Sequence, residues 1–351
     1  MNLQEMVSKI KPADCRAADA CAARWNLVAK PLGSLGKLEE LLERIAAITG
    51  DFHIDIGKKC VLVFCGDNGV LAQGVAQSTS SVTASICRSL AAGTASVSVM
   101  AKACGADVFP IDMGTVEAVP GLLNHRLEAG TADISQGPAM SYEEAEKGIL
   151  TGIELVKQKK EEGYSIIATG EAGIGNTTTS SAVVSVLLNR PAEEVTGRGS
   201  GLSDEGLLRK LGAIHQAIQI NQPDPRDPVD VLSKIGGFDI AGMVGAFLGG
   251  AVYRVPVVMD GFISAAAALC AVRLCPAAQD YIVPSHITAE PAGKLLMEEM
   301  GFDPLIHGNF RLGEGTGAVS LFPMLDLAAA VYHNAATFEK IGVEEYQPWE
   351  K

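Results

Sequence analysis

The sequence predicts an α/β fold: a doubly wound, mostly parallel sheet with helices on both faces. Two observations carry this. Short β-branched runs alternate with longer helical stretches, the pattern of strands joined by helical crossovers. The short runs are also nearly continuous in apolar residues, as expected for strands covered on both sides. A chain that is 48% hydrophobic and 5% aromatic, with 38 glycines, suits close layering of helix on sheet.

Strands are expected at 60–65, 107–112, 164–169, 255–260 and 280–284, with a weaker run at 304–307. Helices are expected between them at 82–102, 141–159, 203–220, 240–252, 261–272 and 288–300. Residues 1–49 read as helices with a turn between, and 316–351 as a long helix with a polar tail. Neither end holds a convincing strand. The two are expected to form a small helical subdomain beside an α/β nucleotide-binding catalytic domain at 50–315.

A net charge of −13 argues against nucleic acid or an anionic membrane as the main partner. It leaves room for an anionic small molecule, which a pocket of N–H groups and one or two cations can hold. Residues 1–11 mix charge and polarity, and the long apolar stretch at 255–275 is broken by Asp260, so no membrane span and a cytoplasmic location are expected. The eight cysteines form no C-x-x-C pair and several lie inside apolar runs, which points to free buried thiols in a reducing compartment. The six histidines show neither H-x-x-x-H nor H-E-x-x-H spacing, and no metal is expected.

The most informative stretch is Gly170-Glu171-Ala172-Gly173-Ile174-Gly175-Asn176-Thr177-Thr178-Thr179-Ser180-Ser181. It follows a β-branched run and leads into an apolar helical one. A helix start presents unpaired N–H groups and a partial positive charge, and glycines let the backbone approach a ligand. The turn therefore suits a phosphate. Glu171 sits at its mouth, where a carboxylate has little reason to be unless it serves the ligand. The alternative is an ordinary strand-to-helix turn with Asn176 or Thr177 as N-cap.

A second cluster, Thr196-Gly197-Arg198-Gly199-Ser200-Gly201-Leu202, precedes a helix. It is either another anion-holding nest, with Lys210 inside the helix, or a flexible loop capped by Ser203. The third is Arg311-Leu312-Gly313-Glu314-Gly315-Thr316-Gly317-Ala318. Glycines on both sides of Glu314 clear space for a flat ligand. A glutamate shielded from water by Leu312 and a ring-shaped ligand suits a general base near neutral pH; the alternative is a helix-capping carboxylate. This cluster also fits the loose dinucleotide signature G-x-G-x-x-A, although no clear strand precedes it. No P-loop and no G-x-S-x-G elbow occurs, which disfavours a P-loop kinase or ATPase and the simplest serine hydrolase.

These clusters run in order with Lys30-Pro31-Leu32-Gly33-Ser34-Leu35-Gly36, Gly66-Asp67-Asn68-Gly69-Val70, Gly236-Gly237-Phe238-Asp239-Ile240-Ala241-Gly242, Val258-Met259-Asp260-Gly261-Phe262, Ser285-His286 and Glu290-Pro291. In these segments, over nearly its whole length, the chain resembles the nicotinate-nucleotide–dimethylbenzimidazole phosphoribosyltransferase family, which activates the lower-ligand base of cobalamin. The resemblance implies a homodimer that needs no cofactor and acts on two small molecules, nicotinate mononucleotide and a base. A ring nitrogen of the base attacks C1′, nicotinate leaves, and the configuration inverts from β to α.

The resemblance also implies roles. Glu314 matches the general base, and Glu171 a second acidic residue near the reacting centre. Gly173, Gly175, Asn176, Thr177, Gly199, Ser200 and Lys210 are expected to hold phosphate and ribose, with Asp239 and Asp260 as further candidates for ribose or nicotinate contacts. Ser78, Ser80, Ala172, Leu312 and Gly313 are expected around the base.

The likeness frays at the base. The family commonly runs G-V-S-A-Y-P-Q-E-V-T where this chain has Gly74-Val75-Ala76-Gln77-Ser78-Thr79-Ser80-Ser81-Val82-Thr83. Ala172 stands where the family often carries Leu or Met. Losing such apolar contacts costs about 1–3 kcal/mol of binding to a methylated ring. The base is expected to be dimethylbenzimidazole or a related one, and the fraying points to unsubstituted benzimidazoles, adenine and phenolic bases as candidates for the preferred base. Two other readings of the chain are a nicotinamide-dinucleotide-dependent oxidoreductase using the 313–318 turn, and a non-catalytic binder of nicotinate mononucleotide.

Overall fold

In the computed structural model, which describes residues 2–347, the apolar run at 60–65 becomes the centre of the sheet. Six strands form it: β1 (Lys59–Gly66), β2 (Ala106–Gly114), β3 (Leu123–Asn124), β4 (Ile166–Ala172), β5 (Val257–Met259) and β6 (Ile282–Pro284). Their order is β3-β2-β1-β4-β5-β6, and every pairing is parallel. The expected mostly parallel sheet is thus parallel throughout. β1 is buried along its whole length, with strands on both edges and helices on both faces.

Several boundaries move for identifiable reasons. β4 runs past Thr169 and takes Gly170, Glu171 and Ala172 into the sheet, pairing Phe64 with Glu171. The stretch 82–102 is two helices, Ser80–Ala91 and Ser96–Ala103, because Gly93 turns the chain at φ +71°. The expected helix at 288–300 begins only at Gly293, since Pro291 disfavours helical backbone at Glu290. The expected strand at 280–284 shortens to β6 because Pro276–Tyr281 forms a 3₁₀ helix. The run at 304–307 yields a single bridge, Ile306 to His286, and Pro304 brings no N–H to a ladder.

The glycine content is used where helices touch. The Phe238–Tyr253 helix meets the Tyr142–Glu161 helix backbone to backbone. A Cβ on Gly152 would lie 2.0 Å from the Gly242 carbonyl oxygen, and one on Gly245 1.9 Å from that of Ile149. This contact lets the Phe238–Tyr253 helix lie tight on the sheet and seats Asp239, in its first turn, against Gly66 at the end of β1.

At the two ends of the chain, the helices Cys15–Leu27 and Lys37–Thr49 meet the Thr316–Asn334 helix. Trp25 and Tyr332 pack edge to face at 4.9 Å, and the Ala29 N–H donates to the Ala336 carbonyl at 2.9 Å. The Thr316–Asn334 helix also lies against β4. All eight cysteines are unpaired; six are buried, whereas Cys15 is exposed and Cys104 half-buried. Among the described residues no helix is long and apolar enough to cross a membrane.

Candidate active site

The chain leaves β1 toward β2 on one side and reaches β4 on the other, so a crevice opens beyond the carboxyl ends of β1 and β4. A cavity of about 440 Å³ fills it. β4 delivers Glu171 to this cavity, Gly173-Ile174-Gly175 turns the chain, and the Asn176–Leu187 helix starts against it. The N-cap is Gly175, at φ +98°, not Asn176 or Thr177. Both side chains are therefore released for other work. The Ile174 and Asn176 N–H groups are taken by Thr83 Oγ1 and the Gly173 carbonyl. Those of Gly175 and Thr177 make no hydrogen bond to any described residue and remain for an anion.

Glu171 is 7% exposed. Burial pushes its carboxyl up to about 8, Asp239 and Asp260 add to the rise, and hydrogen bonds from the Asn176 side chain and the Glu314 N–H oppose it. Asn176 Nδ2 donates to Glu171 Oε2 and, at 2.9 Å, to Asp239 Oδ2. One amide thus holds two acids in fixed orientation. Asp239 is fully buried, which pushes it up to about 6. It stands behind Asn176, off the cavity wall.

Glu314 reaches the same cavity from the opposite direction. Gly313, Glu314 and Gly315 have φ of +91°, +61° and +97°, three consecutive left-handed residues. For glutamate that conformation is strained, and it persists because the loop is held on both sides. Asp260, just past β5, accepts the N–H groups of Gly315 at 3.2 Å and Ala318 at 2.9 Å. Gly170 lacks the Cβ that would strike the Glu314 carbonyl at 2.2 Å, so the loop lies directly on β4. Glu314 Oε2 accepts the Val97 N–H at 3.2 Å, in the first turn of the Ser96–Ala103 helix. Leu312, expected to shield this glutamate together with a ring-shaped ligand, borders the same cavity and is 59% exposed.

Every expected site residue borders the cavity except Lys210, Asp239 and Ser80. Lys210 is fully buried, and its Nζ donates to Thr177 Oγ1 at 2.9 Å and the Gly197 carbonyl at 3.1 Å. Burial lowers its ammonium to about 8, with Glu290 acting the other way. Lys210 thus stands behind Thr177, which borders the cavity beside Gly199 and Ser200. Ser80 opens the Ser80–Ala91 helix and does not border the cavity, whereas Ser78 lines it with Ala76, Val82 and Ile86. Asp260 borders the cavity, but its carboxylate is spent on the Glu314 loop. Among the described residues no cluster of His, Cys, Asp and Glu is arranged to hold a metal ion.

Arg198, His286, Glu290 and Phe310, to which the sequence alone assigns no role, also line the cavity. Arg198 bonds the Leu202 carbonyl at 2.9 Å and shapes the Gly199 loop. Gln77 donates to the Gly201 carbonyl and ties that loop to the wall around Ser78. His286 and Glu290 stand within recognised segments, so a signal exists, but no local chemistry marks their direction.

A family model described as phosphoribosyltransferase matches residues 10–343. The chain is 44% identical to the nicotinate-nucleotide–dimethylbenzimidazole phosphoribosyltransferase of Ruminiclostridium cellulolyticum, over the full length of both. It is 43% identical to the enzyme of that name from Clostridium acetobutylicum, over 99% of each chain. The solved structure of CobT from Thermus thermophilus matches with a TM-score of 0.89 at 36% identity, covering 94% of this chain and 100% of the other.

Proposed function

This chain belongs to the nicotinate-nucleotide–dimethylbenzimidazole phosphoribosyltransferase family, and from that premise we propose that it moves the ribose 5-phosphate of nicotinate mononucleotide onto a lower-ligand base. The products are an α-riboside 5′-phosphate and nicotinate, the former for cobamide nucleotide-loop assembly. The observation that carries the reading is the meeting of Glu171 and Glu314 across one cavity whose floor is a helix N-terminus.

In the reaction, a ring nitrogen of the base forms its bond to C1′ as the bond from C1′ to the pyridinium nitrogen breaks. The electron pair returns to that ring, so the leaving group needs no proton. Glu314 takes the azole N–H proton. Glu171, facing the cation that develops on the ribose, stabilises it; a cationic substrate favours the ionised form of an acid held near 8. The free N–H groups of Gly175 and Thr177, the Thr177 hydroxyl and the Gly199-Ser200 loop hold the phosphate.

The base sits between Ser78, Ala172 and the Gly313 loop. With alanine and serine there, the two ring methyls of dimethylbenzimidazole find fewer apolar contacts, which favours a related base. We include in the proposal a homodimer in the cytoplasm; exposed Val99, Met324 and Leu327 supply apolar surface for a partner copy. The test is to mix the protein with nicotinate mononucleotide and an azole. Free nicotinate, with a riboside of matching mass, is expected; binding without release of nicotinate would reduce the protein to a carrier.

A further inference from the structure

His286 follows β6, is 2% exposed, and forms part of the cavity wall beside Asp260 and Phe310. One neighbour fixes where its proton sits. Ser285 Oγ lies 2.5 Å from the Met259 carbonyl oxygen and 2.8 Å from His286 Nδ1. A carbonyl only accepts, so the single hydroxyl proton goes to Met259, and Oγ accepts from Nδ1–H. In the neutral ring Nε2 is then a bare lone pair, and it makes no hydrogen bond to any described residue.

The ring is also held in place. A Cβ on Gly317 would lie 2.0 Å from the imidazole Cε1, so the ring rests on that backbone, with the Phe310 ring 5.2 Å away. Burial lowers the imidazole pKa, with Asp260 pulling the other way, which favours the neutral form near pH 7.

A fixed acceptor on this wall cannot serve the phosphate or the nicotinate carboxylate, which are acceptors themselves. The only donors on the mononucleotide are its two ribose hydroxyls. We propose that His286 Nε2 accepts a hydrogen bond from a ribose hydroxyl of nicotinate mononucleotide and is held in that tautomer by Ser285. The proposal rests on the transferase reading for its ligand, and it adds a sugar-recognition residue distinct from the carboxylates.

Equilibrium dialysis tests it, using nicotinate mononucleotide and its 2′-deoxy and 3′-deoxy forms with wild type, His286→Leu and Ser285→Ala. Wild type should bind one deoxy form roughly three- to tenfold more weakly than the parent, as for loss of one hydrogen bond. His286→Leu should bind the parent that much more weakly and no longer distinguish that deoxy form. Ser285→Ala, which leaves the ring on the wall and serves if the leucine variant does not fold, should show reduced discrimination. Equal binding of all three nucleotides by wild type, or undiminished discrimination in the variants, would overturn the assignment. Release of nicotinate by wild type with an azole reports separately on the transferase reading.

Discussion

Gly170→Ala asks whether Glu314 must sit where the loop puts it. The new Cβ would stand 2.2 Å from the Glu314 carbonyl oxygen, 2.7 Å from its carbon and 3.0 Å from the Gly315 nitrogen. All are backbone atoms, so no side-chain rotation relieves the clash. The loop must withdraw by about 1 Å to restore ordinary contact in a close-packed site. That strains the Asp260 bonds to Gly315 and Ala318 and moves the Glu314 carboxylate relative to Glu171. Displacement of a catalytic group by about 1 Å costs on the order of 10²-fold in rate. Overpacking of this kind costs about 1–3 kcal/mol of stability. Initial rates of riboside formation at saturating substrates should fall accordingly. Nucleotide binding should hold within a few-fold, because Thr177 and Gly199 lie off the loop. The control is Gly212→Ala, on the exposed side of the Asp204–Asn221 helix, where a Cβ meets nothing within 4 Å. It should keep full rate and gain roughly 0.5–1 kcal/mol of stability. A Gly170→Ala enzyme within about threefold of the wild-type rate would refute the claim that loop position sets the chemistry.

Three other outcomes follow from the same site. Glu314→Gln keeps an acceptor for the Val97 N–H but cannot take a proton; turnover should fall about 10²–10⁴-fold while nucleotide binding by dialysis stays nearly unchanged. Because burial holds Glu171 at about 8, above the ordinary 4.5, the folded chain binds this proton more tightly than the unfolded one. The stabilisation is full below pH 4.5 and is lost as pH rises toward 8, with Asp239, at about 6, adding the same sign. Calorimetry from acid to neutral pH should show a shallower decline for Glu171→Gln, and identical slopes would contradict the assignment. In competition at equimolar concentrations, a base without the two methyls should be consumed ahead of dimethylbenzimidazole; clear preference for the methylated base would refute this reading of the pocket.

The sheet was legible because its central strands are buried on both faces. The runs at 60–65 and 107–112 lie inside β1 and β2, and the turn after β4 announced itself by its glycines. What was not legible depended on distant partners. Nothing local says that Asp260 will be consumed by two N–H groups from residues more than fifty positions later. Nor does it say that Lys210 will bond Thr177, since both contacts arise only when segments far apart in sequence are laid side by side. Gly93 and Pro304 were visible punctuation. Apolar periodicity continued across the first, and a short β-like run surrounded the second.

Glu314 comes after all six described strands in chain order, whereas Glu171 is the penultimate residue of the fourth. On the ribosome, then, the proposed phosphate turn and one acid are made well before the proposed base. The pairing of the two acids therefore waits for the start of the Thr316–Asn334 helix, whose N–H groups clip onto Asp260 and which is among the last parts of the chain to be made.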